Sequence, residues 1–214
     1  MVNRRDPLHN LLALTVLAYL IERPMHPYEI GKLLKQRNAD RNIEYKHASL
    51  YMVVDQLARA GYIAAVGTER TGQRPERTVY APTETGQIRL REQLRDMVAV
   101  PGKEYRKFEA ALSLIVVLPP QEVPALLERR LHSLTEQARH QRAVLAAAHD
   151  VEPLFLIEYH YRLELIEAEQ RFIERFRDLL ASDPAALGQF WQRLHAAEPA
   201  ISAIPATSDA LEQG

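Results

Sequence analysis

One change of period constrains this chain more than any other feature. Apolar residues recur at helical spacing almost throughout, and only after Gly61 does the pattern tighten to that of strands. Tyr62-Ile63-Ala64-Ala65-Val66 reads as a short strand. Residues 67–77 are polar and hold Gly67, Gly72 and Pro75. Thr78-Val79-Tyr80-Ala81 reads as a second strand. Two short strands around a Gly/Pro-bearing polar loop predict a β-hairpin. The fold class is therefore mainly α with one small hairpin.

Helices surround the hairpin. Asp6-Pro7 opens the first, with an acceptor at the N-cap and proline at the first helical position. Leu8, Leu11, Leu12, Leu14, Leu17, Leu20 and Ile21 cover more than one of its faces, so it is expected to be buried on several sides, with Leu14 and Leu17 touching a second subunit. His26-Pro27-Tyr28-Glu29 starts the next helix, with Ile30, Leu33 and Leu34 as its stripe. Residues 36–44 are a polar connector. A third helix over 46–60 has a buried stripe of Leu50, Val53, Val54 and Leu57, and ends at Gly61. Its other side carries Lys46, His47, Ser49, Tyr51, Met52, Asp55 and Arg59. Taken alone, this is compatible with an ordinary surface helix and with one that offers its first turn to base edges in a DNA major groove. Pro82-Thr83-Glu84 begins a fourth helix, marked by Ile88, Leu90, Leu94 and Met97 and ended by Pro101-Gly102.

Helix, helix, helix, hairpin, helix within the first hundred residues is the winged helix-turn-helix order. Three runs then carry a specific resemblance: PMHPYEIGKLL (24–34), HASLYMVVDQLARAGYI (47–63) and TGQRPERTVYAPTETG (71–86). Together they resemble the PadR family of bacterial transcriptional regulators over residues 8–98. The family pattern runs roughly G-Y-E-I, then G-S-L-Y-P with a leucine-rich continuation to G-L-I, then G-R-P-R-K-Y-Y-x-L-T-x-x-G. This chain departs from it at Pro27 and Ala48 (glycines in the pattern), at Met52 (commonly proline) and at Gln73, between Gly72 and Arg74. The resemblance implies a DNA-binding domain over 1–98, with the third helix reading bases and the hairpin as wing.

The second half shows no strand signal. One helix is expected over Lys103–Leu118, a long one over about 121–149, and another from Leu154 to about Ala181. In the first long helix Leu127, Leu131, Leu134, Ala138, Gln141 and Leu145 alternate by four and three; in the second, Tyr161, Leu165, Phe172 and Phe176 share a broad face. A partner chain is the simplest way to cover both faces. This agrees with the C-terminal helical dimerisation region that the resemblance implies over 99–181. Residues 182–214 are expected to hold a short helix around Phe190 and Trp191, then a poorly ordered tail from Glu198.

The expected DNA contacts are Tyr45, Lys46, His47 and Ser49 at the start of the reader helix, with Tyr51 and Met52 after them. Tyr28 is placed either to bond a phosphate or to pack under the reader helix. Arg70, Arg74 and Arg77 suit phosphate or minor-groove contacts from the wing. The aromatics Phe155, Tyr159, Tyr161, Phe172, Phe176 and Trp191 read first as core and second as walls of a pocket for a small-molecule effector, an aromatic one among the candidates.

Composition removes other classes. Net charge is −1 over 214 residues, so any nucleic-acid surface is a local patch. With no cysteine there is no disulfide, thiolate site or cysteine nucleophile. His132, His140, His149 and His160 form no ligand motif, and no triad or phosphate-cradling loop is present, so neither metal, cofactor nor enzyme activity is expected. No apolar run approaches the roughly 20 residues of a membrane span, and no leader peptide is recognised, so a soluble cytoplasmic protein is expected. The reading is a homodimeric, effector-responsive repressor of a palindromic operator. The competing one is a winged-helix adaptor that docks proteins without specific DNA binding.

Overall fold

The computed structural model describes residues 6–37, 39, 43, 46–69, 77–182, 187 and 189–196. The chain forms two compact units, Met1–Glu104 and Tyr105–Gly214. Helix α4 runs to Ala99, and the extended residues after it close the first unit.

In the first unit a 3-10 turn, Pro7–His9, precedes α1, Leu11–Glu22. The single expected helix is split because two side chains cap in succession. The Leu8 N–H donates to Asp6 Oδ1 at 3.0 Å and the Leu12 N–H to Asn10 Oδ1 at 2.9 Å. Helix α2, Pro27–Gln36, has a reciprocal cap: the Tyr28 N–H donates to His26 Nδ1 at 3.0 Å, and the His26 N–H to Glu29 Oε2 at 3.2 Å. Helix α3, His47–Arg59, buries Leu50, Val53, Val54 and Leu57 as its spacing requires. It ends in a Schellman motif, with the Tyr62 N–H on the Leu57 carbonyl at 2.9 Å and the Gly61 N–H on that of Ala58 at 3.0 Å. Gly61 takes φ +72°, a conformation that side-chain-bearing residues rarely adopt.

Strands β1, Ile63–Glu69, and β2, Arg77–Pro82, pair antiparallel from Ile63↔Pro82 to Glu69↔Arg77, with an irregularity between Ala65 and Gly67. Both outrun their expected lengths, because ladder pairing continues through polar residues that carry no hydrophobic signal. A third segment joins the hairpin: Met25 bridges Tyr80, with both N–H···O bonds at 3.0 Å. Helix α4, Glu84–Ala99, is capped by Thr83, whose hydroxyl accepts from the Gly86 N–H at 3.0 Å and donates to the Gly61 carbonyl at 2.7 Å. The core joins α1, α2 and α3 to Met25, Ile63 and Leu90. Each fully buried leucine contributes about 1.5–3 kcal/mol.

The second unit is all α among its described residues. Helix α5 is Lys107–Ser113, shorter than the expected helix. The chain then continues as a 3-10 turn, Ile115–Val117. Helices α6, Val123–Ala147, and α7, Ile157–Ser182, form the long pair, and α8 is Gln189–Ala196. The Arg130 Nε donates to Glu169 at 2.6 Å, Arg142 pairs with Glu167 at 2.6 Å, and Arg177 pairs with Glu128, all linking α6 to α7. Buried Gln141 donates to the Tyr159 carbonyl at 3.2 Å. Trp191, on α8, donates from its indole Nε1 to the Leu118 carbonyl at 2.8 Å, so α8 belongs to this core rather than to a separate tail. No helix among the described residues is long and apolar enough to cross a membrane.

Candidate nucleic-acid interface

The first turn of α3 is built to be presented. Its apolar stripe anchors the helix from beneath, and the Schellman turn fixes its far end. Lys46 stands at the N-cap in extended conformation, exposed and without a side-chain cap. A helix start without such a cap leaves N–H donors and the positive end of the dipole facing outward. Ser49 is half-buried one turn on, while Tyr51 and Met52 are exposed. The backbone of His47 is the first residue of α3. Arg59 pairs with Asp55, so the cationic character of α3 concentrates at its N-terminus. Tyr45, Arg70 and Arg74 lie outside the described residues.

Tyr28 and Arg77 are brought together. Tyr28 is 50% exposed. Its ring lies under the Arg77 guanidinium, whose carbon is 5.2 Å from the ring centroid. Neither this pairing nor the Met25–Tyr80 bridge was expected. Their residues are about fifty positions apart, and nothing local announces them.

The expected dimer residues divide by burial. Leu14, Leu17, Leu127 and Leu134 are buried in the chain's own cores, and Leu131 is half-buried there. The heptad face of α6 meets α7 of the same chain, which supplies the cover that the spacing called for. Leu145, Leu165 and Phe176 are half-buried, whereas Tyr161 and Phe172 remain exposed. Phe172 stands edge-on to Phe108 at 6.4 Å, with Phe176 tilted behind it at 5.9 Å. Among the described residues no group of three or more His, Asp or Glu could hold a metal ion.

Residues 16–92 match the model of the transcriptional regulator PadR-like family. Over those residues the chain is similar to that family. That match spans α1 to α4 and includes every described residue expected to contact DNA. Solved structures agree in fold. Bacillus subtilis PadR in complex with operator DNA is 18% identical, covers 80% of this chain and 99% of its own, and gives a TM-score of 0.64. The same protein in complex with p-coumaric acid gives 0.65 at 18% identity, over 79% of this chain and 98% of its own. The Vibrio cholerae virulence activator AphA gives 0.59 at 16% identity, over 80% and 98%. At such identities the likeness is one of fold. No curated protein matches the sequence.

Proposed function

We propose that this PadR-like chain is a sequence-specific, double-stranded-DNA-binding transcriptional regulator. It acts as a homodimeric repressor whose two reader helices enter successive major grooves of a palindromic operator, about one helical turn apart. The observation that carries the reading is the exposed first turn of α3, cationic at Lys46 and lacking a side-chain cap, beside a hairpin tied to the start of α2. A PadR of the same fold crystallised with operator DNA supports it. Tyr45, Lys46, His47 and Ser49 are assigned to bases or phosphates, Tyr51 and Met52 to the edge of the footprint, and Arg70, Arg74 and Arg77 to the backbone beside the wing.

Dimerisation is assigned to the surface that the protomer leaves apolar. Tyr161 lies there with Leu154, Phe155 and Ile157, all exposed where α6 turns into α7. The effector is a small aromatic molecule, a class supported by the p-coumaric acid complex of the solved relative. Phe172, Phe176 and Trp191 line a cleft of about 330 Å³ with Leu112, Ile115 and Val116, within the usual size range of ligand sites. An effector releases DNA only through unequal affinity for the two dimer states.

The double change Lys46→Ala with His47→Ala tests the central assignment. Binding to a palindrome upstream of the protein's own gene should weaken by about tenfold or more, with the dimer intact. Unchanged operator affinity at physiological salt refutes it. The near-neutral charge is what favours a protein-docking adaptor instead. A chain that shifts neither promoter nor random DNA at low salt would be that adaptor.

A further inference from the structure

The wing of a winged helix is an appendage, and its usefulness depends on how stiffly it is held. Here the hold is visible. The Met25–Tyr80 bridge makes the segment before α2 an edge strand of the hairpin, so wing and α2 share one hydrogen-bonded frame. At the next residue the reciprocal His26–Glu29 cap sets the first turn of α2 on that frame. Tyr28 lies in that turn. Among the described residues Arg77 closes the loop end of the ladder, opposite Glu69. The frame therefore brings Tyr28 and Arg77 together, with the guanidinium carbon over the ring at 5.2 Å from its centroid.

A long arginine side chain at the loop end of a hairpin is free to choose among rotamers, and that freedom is lost when it meets a phosphate. A guanidinium already stacked on an aromatic face has lost part of it beforehand. A cation–π contact restrains the guanidinium without tying its N–H donors to another oxygen. The tyrosine ring, half-exposed, stands as a platform rather than as core.

Resting on the DNA-binding reading above, we infer that Tyr28 is a positioning residue whose ring holds Arg77 in place for one phosphate contact. The pair works as one unit across α2 and the wing. Its hydroxyl is secondary. This reverses the simpler assignment, in which Tyr28 and Arg77 each bond the backbone independently and their losses add.

The test compares the parent chain with Tyr28→Phe, Tyr28→Leu, Arg77→Ala and the double change Tyr28→Leu with Arg77→Ala. Affinity for a mixed-sequence DNA duplex is measured across a salt series. Arg77→Ala should flatten the slope of log affinity against log salt by about 0.9, the value of one phosphate contact. Tyr28→Leu should reproduce most of that loss and weaken binding about threefold, the stacking having gone. Tyr28→Phe should rescue most of what Tyr28→Leu loses. The double change should be no worse than Arg77→Ala alone. Two results overturn the inference: Tyr28→Phe falling as far as Tyr28→Leu, or losses that add in the double change. The free protein gives a second reading. Ring currents should move the Arg77 side-chain proton resonances upfield, and Tyr28→Leu should abolish the displacement. If the parent binds no duplex at low salt, the DNA-binding reading fails and takes the phosphate contact with it. Proton resonances indifferent to Tyr28→Leu remove the platform itself.

Discussion

Gly86→Ala is the sharpest test of how the first unit holds together, because two physical arguments give opposite signs. Gly86 sits in the first turn of α4. Alanine is the better helix former by about 1 kcal/mol, so propensity alone predicts a more stable protein. The tertiary contact predicts the reverse. A Cβ at this position would lie 2.0 Å from the Tyr62 carbonyl oxygen, where real contacts are not found under 3.0 Å. The obstacle is backbone and cannot rotate away, so α4 must retreat by about an ångström or more. The Thr83 N–H donates to that same oxygen at 2.9 Å, and the Thr83 hydroxyl to the Gly61 carbonyl at 2.7 Å. Both bonds stretch past usefulness, at about 1 kcal/mol each. Overpacking adds about 2 kcal/mol more. Set against the propensity gain, the net loss is about 3 kcal/mol, lowering the melting temperature of a domain this size by about 12 °C or more. Urea and thermal unfolding followed by far-ultraviolet circular dichroism measure it. A variant as stable as the parent would show that α4 does not wedge against the end of α3 in this way.

Two further outcomes follow from particular contacts. Burial opposes the charge on Asp6, but hydrogen bonds from Arg89 and the Leu8 N–H, the charge of Arg89 and the Tyr62 hydroxyl outweigh it, so the carboxyl is held below its ordinary value of 3.8. A depressed carboxylate stabilises the fold above the unfolded value and loses that contribution as pH falls through the folded one. Asp6→Asn should therefore flatten the acid limb of stability below about pH 4, and cost about 1–2 kcal/mol near neutrality from the cap and a partly exposed ion pair. An unchanged acid limb in urea titrations would count against the network. Tyr161→Asp should shift the sedimentation profile from dimer toward monomer. Leu134→Ala, deep in the protomer, should instead lower stability by about 2–5 kcal/mol while the folded fraction stays dimeric. If Tyr161→Asp leaves the particle size unchanged, the dimer surface lies elsewhere.

Much of the fold was legible because its signals are local. The α3 stripe, the positive-φ glycine after it, the Thr83 cap and the two strands all depend on residues within a few positions of one another, and side-chain period reports burial directly. The Lys46 end of the candidate interface was legible for the same reason. The heptad face of α6 was legible in its spacing, but not what covers it. Spacing says that Leu127 and Leu134 must be covered, but not by whom, and α7 of the same chain covers both. The split of the first helix also escaped the periodicity, which registers apolar spacing and not the second cap at Asn10.

The sequence by itself determined the order of elements and the buried side of α3, since propensity, capping and period act over a few residues, and three motif runs carried its resemblance to the PadR family. Only the tertiary structure decided which apolar faces meet inside one protomer, why Gly86 must lack a side chain, and that Arg77 stands over Tyr28. Each of those depends on a distance between residues far apart in sequence, and such distances exist only once the chain has closed on itself.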